Sequence, residues 1–365
     1  MSSLSPILQP RAAFARQYGG RPLNHPTLKD LGWTNFYVQQ LDIDEVGTTT
    51  PTRITAVHRK AVAGLTEDGP RDLAMPTDLS AGDIAVGDWV LAHPTDHLVI
   101  RRLDRQTVLQ RGNDYHHGER QLIAANLDTL FITTSCNADF NVARLERYLA
   151  LAHDADITPV ILLTKADQAD DPDDYTNKAQ ALGRDLSVVT LDATSDTVAN
   201  DLAQWCGAGQ TVALAGSSGV GKTTLANALT GNNADTQGIR EDDARGRHTT
   251  THRSLHRIPN GGWLIDTPGM RGLGVADVSV GIAATFPEIS EIEDQCKFRD
   301  CKHANEPGCA VQAAVTRGDV QPDRLKRYQK LQREDMIATE TLAQNRQRMK
   351  KFTKSVKGAM AKKRR

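Results

Sequence analysis

The chain has 365 residues, of which 39% are hydrophobic and 24% are charged, and its formal net charge is −1. This length allows two or three folded domains, and the composition excludes a disordered or fibrous chain. No apolar run approaches the roughly 18 to 20 residues of a membrane-spanning helix, so we expect a cytoplasmic protein without a membrane partner.

Both ends of the chain are basic. Residues 1–48 are predicted to be a flexible arm, because the first 29 residues contain four Lys or Arg and no acid. The predicted tail, residues 336–365, has ten Lys or Arg against one Glu from Glu340 onward. Such a tail favours a polyanionic partner, RNA before a membrane, although a solvated helix end would have the same composition.

Residues 49–112 have the strand pattern of a small β-barrel. Short β segments are predicted at residues 53–58, 88–92 and 97–100, with turns predicted between them at residues 68–70 and 81–83. Strands at this spacing suggest an OB-fold, whose commonest ligand is single-stranded or structured nucleic acid. The pattern alone does not establish nucleic-acid binding, because many small barrels have other ligands.

Residues 113–283 alternate between apolar strands and helices. The alternation predicts a mostly parallel sheet with helices on both faces, and therefore an α/β domain within a multidomain chain. A helix is predicted at residues 142–152, because Val142, Leu145, Tyr148, Leu149 and Ala152 fall at helical spacing. The predicted strands are residues 130–132, 159–163, 186–189, 211–215 and 262–265.

The strongest motif is GSSGVGKT, which fits the phosphate-binding consensus G-x-x-x-x-G-K-[ST] between a predicted strand and a predicted helix. Its glycines let backbone N–H groups turn toward phosphates, and the helix N-terminus adds positive potential. Lys222 would reach the β and γ phosphates, and the Thr223 hydroxyl would bind Mg²⁺. The predicted contacts are Gly216, Ser217, Ser218, Gly219, Val220, Gly221, Lys222 and Thr223. The motif alone does not distinguish ATP from GTP.

A second motif, DTPG, directly follows the predicted strand at residues 262–265. Asp266 would hold the magnesium through water, and the Gly269 N–H would sense the γ-phosphate. Between the two motifs, the polar run GRHTTT offers a threonine for the metal, and Thr250 is preferred over its two neighbours. A plain surface loop is the alternative for this run.

A candidate base-recognition motif precedes the phosphate loop. The Asp167 carboxylate can accept two hydrogen bonds from guanine that adenine cannot offer, while the Lys165 stem covers the base. In Ras-like GTPases this motif comes last, and a circular permutation that leaves the sheet unchanged explains its early position. The motif TKAD consists of Thr164, Lys165, Ala166 and Asp167.

Three of the five cysteines lie in the segment CKFRDCKHANEPGCAV, within a predicted zinc-binding domain at residues 284–335. Three thiolates and one imidazole predict a closed, structural Zn²⁺ site, because no position remains for a reactive water; a catalytic zinc is the lesser alternative. The other cysteines are most simply buried thiols in a reducing compartment. The candidate ligands are Cys296, Cys301, His303 and Cys309.

Together these motifs resemble the RsgA family of circularly permuted GTPases over roughly residues 53–327. The resemblance rests on QLIAANLD, GSSGVGKT, GRHTTTHR, LIDTPGMR and CKFRDCKHANEPGCAV. It implies an N-terminal OB-fold barrel, a circularly permuted P-loop GTPase domain and a C-terminal zinc-binding domain with helices. It also implies GTP contacts from TKAD and from Gly216 to Thr224, one structural zinc ion, and Mg²⁺ with the nucleotide.

The same resemblance implies the partners and the reaction. The partners would be the small (30S) ribosomal subunit and its 16S rRNA, with GTP and GDP as nucleotides. The reaction would be GTP hydrolysis stimulated by the subunit during its late maturation. We expect the protein to act as a monomer.

Four features bear on affinity and rate. Thr164 stands where Asn is commoner, which would remove a hydrogen bond that braces the phosphate loop. Asp192 and Ala193 replace the usual Ser-Ala of a second guanine-supporting loop. Met270 follows DTPG where Ras-like enzymes have glutamine, so intrinsic hydrolysis should be slow. His248 is then the candidate for orienting or activating water, with a structural or solvated histidine as the alternative.

Two other classes of protein stay open on the sequence alone. The chain could be a P-loop ATPase or small-molecule kinase in which TKAD is a coincidence. It could instead be an RNA-binding module whose nucleotide site is only a ligand-controlled switch. Competition between GTP and ATP distinguishes the first class, and phosphate release with and without small subunits distinguishes the second.

Overall fold

The computed structural model describes residues 26–58, 62–112, 120–231, 253–266 and 275–339. The strands are β1 Thr50–Val57, β2 Val62–Thr66, β3 Gly69–Leu73, β4 Trp89–Ala92, β5 Val99–Arg102, β6 Val108–Gly112, β7 Arg120–Ala125, β8 Thr129–Ser135, β9 Thr158–Thr164, β10 Ser187–Thr190, β11 Thr211–Gly216, β12 Ser254–Arg257 and β13 Trp263–Asp266. The α-helices are α1 Asn35–Val38, α2 Val142–Asp154, α3 Pro172–Gln180, α4 Val198–Asp201, α5 Lys222–Thr230, α6 Ser279–Thr285, α7 Pro287–Glu293, α8 Ala310–Arg317 and α9 Pro322–Thr339. No helix in these ranges is both long and apolar enough to span a membrane.

The first five strands form the small barrel that the sequence predicts. β1 pairs with β2 and β4, β2 with β3, and β4 with β5, all antiparallel. A parallel bridge between Ala74 and Leu98 brings the end of β3 to the start of β5. The resulting order, β1-β2-β3-β5-β4-β1, fits a five-stranded OB-fold. Its core contains Ile54, Val62, Leu73, Ile84, Val90, Ala92 and Val99.

Strands β2, β3, β6, β7 and β12 were not predicted from the sequence. The sequence indicated a turn at Asp68, Gly69 and Pro70, but Gly69 pairs with Thr66 and Pro70 pairs with Leu65. The prediction was wrong for Gly69 and Pro70, because the two-residue turn lies one step earlier in the chain. Gly and Pro weaken a strand pattern in sequence, yet both are tolerated at the start of a strand.

The α/β sheet has the predicted parallel architecture. Its strand order is β10-β9-β8-β11-β13-β12, and every neighbouring pair is parallel except β12 with β13. Adjacent residues Phe131 and Ile132 of β8 belong to two different apolar clusters. Because successive strand side chains point to opposite faces, both faces of this sheet are buried.

Part of the predicted flexible arm is ordered. Within residues 26–48, Leu31 and Tyr37 are fully buried, and the ring of Tyr37 lies 5.8 Å from that of Trp89 in β4. The prediction is therefore wrong for this part of the arm, because its apolar side chains pack against the barrel. Residues 1–25 lie outside the described residues.

The C-terminal helices dock on helix α2 of the α/β sheet. A Cβ on Gly281 of α6 would lie 1.9 Å from the carbonyl oxygen of Ala150 in α2, so the close approach of these helices requires glycine. Helix α9 continues past residue 335, where the sequence placed the start of the tail. Residues 340–365 of that tail lie outside the described residues.

Candidate nucleotide and metal sites

The phosphate loop joins β11 to α5 along a path that only glycine follows easily. Gly216, Gly219 and Gly221 have φ values of 142°, 80° and 93°. A Cβ on Gly216 would also lie 2.1 Å from the carbonyl oxygen of Thr133. Helix α5 begins at Lys222, so its unpaired N–H groups and the positive end of its dipole are next to the loop.

Polar atoms inside the loop fit a phosphate ligand. The Lys222 Nζ donates a hydrogen bond to the Gly216 carbonyl at 2.8 Å and contacts the Ser217 carbonyl. The Ser218 Oγ is buried and has no hydrogen-bond partner in the described part of the chain. A buried hydroxyl without a partner is costly, and a bound phosphate or its metal ion would supply one. Thr223, in the first turn of α5, is exposed.

The base motif is tied to the phosphate loop through its first residue. The buried Thr164 Oγ1 lies 2.7 Å from the Val220 carbonyl and 3.1 Å from the Thr134 carbonyl. The hydroxyl has one proton, and the shorter contact is the better hydrogen bond. The expectation that Thr164 removes the brace on the phosphate loop was therefore wrong. The threonine hydroxyl provides that brace.

The rest of TKAD lies at the carboxyl end of β9, on the edge of the sheet where β11 also ends. Lys165 adopts the left-handed backbone region with φ of 57°, and a short 3₁₀ helix, Ala166–Gln168, follows it. Asp167 is exposed at this edge. Ligands of open α/β sheets bind at the carboxyl ends of the strands, so this position suits base recognition.

The loop with Asp192 and Ala193 approaches the same site. A Cβ on Gly221 would lie 3.7 Å from both the Ala193 Cβ and the Thr164 Oγ1, so three loops converge there. The Asp192 carboxylate accepts hydrogen bonds from the Thr194 N–H and hydroxyl, both at 2.8 Å. Asp192 thus stabilises the turn that holds Ala193 against the phosphate loop.

The candidate magnesium-binding acid lies at the end of the neighbouring strand. Asp266 ends β13, which is parallel to β11. Partial desolvation raises the pKa of Asp266, while the neighbouring His256 and Lys222 act in the opposite direction. Asp266 is therefore within electrostatic reach of the phosphate-loop lysine. The candidates His248, Thr250 and Gly269, together with Met270, lie outside the described residues.

One residue at this site was missed from the sequence. Tyr148 of α2 is 2% exposed, and its hydroxyl is hydrogen bonded to the backbone of Gly216. The sequence placed Tyr148 on the apolar face of the predicted helix. A buried tyrosine hydroxyl usually needs a polar partner, and that requirement was the available signal.

The four predicted metal ligands come together as expected. Their ligand atoms all lie within 4.8 Å of one another. The Cys296 Sγ is 3.8 Å from the Cys309 Sγ, and the His303 Nδ1 is 3.6 and 3.5 Å from these two sulfurs. Tetrahedral zinc with bonds of about 2.3 Å to sulfur and about 2.0 Å to nitrogen separates its ligands by about the same distances. The cluster therefore fits a closed, structural zinc site.

A second layer of contacts orients the histidine ligand. The Nε2 of His303 lies 3.4 Å from the Glu293 carboxylate, which also accepts a hydrogen bond from the Tyr328 hydroxyl at 2.6 Å. The Gln329 side chain donates to the His303 carbonyl at 2.8 Å. Carboxylates in this position fix the ring orientation of a metal-bound histidine. The sequence analysis did not identify Glu293 or Tyr328.

Comparison with known proteins gives a consistent family. A family model described as RsgA GTPase matches residues 102–276, and one described as 50S ribosome-binding GTPase matches residues 211–346. A Mesorhizobium japonicum protein described as small ribosomal subunit biogenesis GTPase RsgA is 57% identical over 86% of this chain and 91% of the relative. A Vibrio parahaemolyticus protein described as small ribosomal subunit biogenesis GTPase RsgA 2 is 45% identical over 92% of this chain and 94% of the relative.

Two solved structures share the fold. The crystal structure of YjeQ from Thermotoga maritima matches with a TM-score of 0.59 and 22% identity, over 78% of this chain and 97% of that one. YloQ, described as a circularly permuted GTPase, matches with a TM-score of 0.56 and 24% identity, over 79% of this chain and 95% of that one. The displaced base motif, the shared fold and the close relatives agree, and the chain belongs to the RsgA GTPase family.

Proposed function

We propose that this protein is a cytoplasmic, monomeric GTPase that binds the small (30S) ribosomal subunit and its 16S rRNA and assists late maturation of the subunit. It hydrolyses GTP to GDP and phosphate, and the subunit stimulates this reaction. The observation that carries the proposal is the convergence of TKAD and the phosphate loop at one sheet edge, in a chain 57% identical to a relative described as a small ribosomal subunit biogenesis GTPase.

The nucleotide is held at both of its ends. The Asp167 carboxylate accepts hydrogen bonds from guanine, and the Lys165 stem covers the base. Lys222 would contact the β and γ phosphates, and Thr223 and Asp266 would hold Mg²⁺, which would neutralise charge on the phosphates. Gly269 senses the γ-phosphate. The remaining contacts come from Thr164, Ala166, Gly216, Ser217, Ser218, Gly219, Val220, Gly221 and Thr224.

The hydrolytic step requires a group that orients water, because Met270 occupies the position of the usual glutamine. We assign this role to His248, and Thr250 would bind the metal when the γ-phosphate is present. Replacement of His248 by Ala should leave GTP affinity nearly intact and remove the subunit-stimulated rate. An unchanged stimulated rate in His248→Ala would contradict the assignment of His248.

The zinc ion has a structural role in this proposal. Cys296, Cys301, His303 and Cys309 would supply all four ligands of a tetrahedral site, which would leave no position for a reactive water. Metal binding instead stabilises the segment that joins α7 to α8.

The test of the proposed function is phosphate release from GTP, measured alone, with small subunits and with large subunits. We expect a large increase with small subunits only. An increase confined to large subunits would favour the alternative suggested by the match to the 50S ribosome-binding description. Equal rates in all three conditions would contradict a ribosome-dependent GTPase.

Base specificity has its own test. Asp167→Asn exchanges a carboxylate for an amide, which can donate to the 2-oxo group of xanthine. We expect GTP affinity to fall by a factor of about ten or more and XTP affinity to rise. Asp170→Asn, an exposed position in the same loop, is the matched control and should change neither affinity. Unaltered GTP binding in Asp167→Asn would favour an ATPase in which TKAD is a coincidence.

A further inference from the structure

Arg53 of the barrel is a buried cation at the junction with the α/β sheet. Its side chain is 1% exposed and forms no ion pair with any carboxylate in the described ranges. Its Nη2 donates to the Thr211 Oγ1 at 2.6 Å, its Nη1 donates to the Leu31 carbonyl, and its Nε has no partner in those ranges. The Asp128 carboxylate interacts with this guanidinium at longer range, and the guanidinium carbon lies 5.9 Å from the centroid of the Trp89 ring. A buried guanidinium without a direct ion pair is costly, and an apolar side chain would fill this space more cheaply.

The Thr211 hydroxyl, which accepts a hydrogen bond from Arg53, lies at the start of β11, the strand that leads into the phosphate loop. Thr211 is the first residue of β11, and the same strand ends at Gly216 of the phosphate loop. The Thr211 N–H donates to the Asp128 carboxylate at 2.6 Å, and the Asp128 N–H donates to the Thr211 carbonyl at 2.9 Å. Thr211 is therefore held to β8 through its backbone and to the barrel through its hydroxyl.

Two more contacts join the barrel side, meaning the barrel and the N-terminal segment packed on it, to strands β12 and β13. Ala56 of β1 pairs with Ser254 of β12. The Trp263 indole of β13 donates to the Asp30 carbonyl at 2.7 Å. In the chain, β12 follows the predicted switch threonines and β13 precedes the rest of DTPG. The barrel side thus contacts the three strands that border the phosphate loop, the predicted switch run and DTPG.

We propose that Arg53 and Thr211 are positioning residues. When a ligand binds to the barrel, their hydrogen bond transmits the resulting movement to β11, the strand that leads into the phosphate loop. The part of this inference in which the small ribosomal subunit is the ligand of the barrel rests on the proposed function. A static anchor would not require a buried cation without a direct ion pair, whereas a hydrogen bond to one hydroxyl can shift with small movements of β1. Such coupling is reciprocal: if the barrel affects the nucleotide site, the nucleotide must affect the barrel.

The first test uses the full-length protein without ribosomes. Amide hydrogen exchange in β1 and β4 is compared with GDP and with a non-hydrolysable GTP analogue. We expect the two nucleotides to give different exchange in the wild type and in Thr211→Ser, which keeps the hydroxyl. In Thr211→Val, which removes it, the difference should disappear. The proposal is overturned if the wild type shows no difference, or if Thr211→Val keeps it.

The second test measures hydrolysis with small subunits. Thr211→Val should lower the stimulated kcat about tenfold, while the basal rate and the half-saturating subunit concentration change less than about twofold. Thr211→Ser should behave like the wild type. An equal fall in basal and stimulated rates would indicate a merely structural role and overturn the proposal. If the wild type shows no stimulation, the proposed function fails, and the exchange experiment still decides the coupling.

Discussion

The α/β domain is joined to its two neighbours by opposite electrostatic arrangements. At the barrel junction, defined by Arg53, Leu31 and Thr211, a buried cation donates hydrogen bonds to two neutral oxygens. At the C-terminal junction, a buried carboxylate, Glu146 of α2, accepts hydrogen bonds from Arg324 and Arg327 of α9, both at 2.7 Å. The second junction has direct ion pairs, whereas Arg53 in the first interacts with a carboxylate, that of Asp128, only at longer range.

The difference indicates separate roles for the two junctions. Arg324 is further fixed by Glu288 at 2.7 Å and by the Phe286 ring, whose centroid lies 4.3 Å from its guanidinium carbon. Breaking such a network leaves several charges exposed to an apolar interior, so the C-terminal junction resists movement. The barrel junction depends on neutral acceptors and can adjust at lower cost.

Both junctions nevertheless reach the phosphate loop. The barrel junction reaches it along β11, from Thr211 to Gly216. The C-terminal junction reaches it through α2, where Tyr148 lies two positions beyond Glu146 and contacts the Gly216 backbone. The following variants test this comparison, from the largest expected effect to the smallest.

The largest effect should follow removal of a zinc ligand. Cys309→Ser should abolish zinc binding, which contributes about 10 to 16 kcal/mol in small zinc domains, and should unfold the segment that supports α8 and α9. The barrel should keep its structure. Zinc content and limited proteolysis measure the outcome, with Cys206→Ala, a buried thiol outside the cluster, as the control. Full zinc occupancy in Cys309→Ser would refute the assigned ligand set.

The next largest effect should come from the buried carboxylate. Glu146→Gln removes the charge that compensates Arg324 and Arg327, and should lower the free energy of unfolding by about 3 to 5 kcal/mol. Urea denaturation measures this change. Asp174→Asn breaks the exposed pair with Lys178 and should cost less than about 0.5 kcal/mol. Similar losses in both variants would mean that the C-terminal junction is not electrostatically fixed.

A smaller loss is expected at the barrel junction. Arg53→Met removes the costly buried charge but leaves the Leu31 carbonyl and the Thr211 hydroxyl without their donor. These effects oppose each other, and we expect a net loss of about 1 to 2 kcal/mol in the same urea experiment. A loss as large as that of Glu146→Gln would remove the contrast between the two junctions.

The smallest effect concerns pH. Burial lowers the pKa of His153 in α2, so the unfolded chain binds a proton at this residue more readily than the folded one. The contribution of neutral His153 is fully present above the unfolded pKa of about 6.5 and is lost as the pH falls through that value toward the folded pKa. His153→Gln should therefore lose less stability than the wild type on acidification. Parallel pH profiles from thermal denaturation would contradict this.

Asp128, beside the barrel junction, should respond with the opposite sign. Burial raises its pKa, so the folded chain holds a proton that the unfolded chain has released. Its unfavourable contribution to stability appears as the pH rises from the ordinary pKa of aspartate through the raised pKa of Asp128. Asp128→Asn should reduce this pH dependence, with acid-range denaturation as the measurement. A profile like that of the wild type would exclude Asp128 as its source.

Most of the site could be predicted from the sequence because its requirements are local. The positive φ values of Gly216, Gly219 and Gly221 favour glycine, and the phosphate-loop consensus contains this requirement within a few neighbouring residues. The zinc ligands lie in one short segment, so their residue types alone indicated the metal. The order of the motifs, with TKAD before the phosphate loop, was likewise sufficient to indicate a permutation.

Tertiary structure decided the contacts between residues that are distant in the chain. The Thr164 brace spans 56 positions, the Arg53 bond to Thr211 spans 158, and the Glu146 pair with Arg324 spans 178. No local pattern encodes such pairs, because a threonine or arginine is compatible with either a solvated or a buried position. Only the packing of the barrel and the C-terminal helices on the α/β sheet gives these polar groups their partners. Burial in a low-dielectric interior then strengthens each of these contacts.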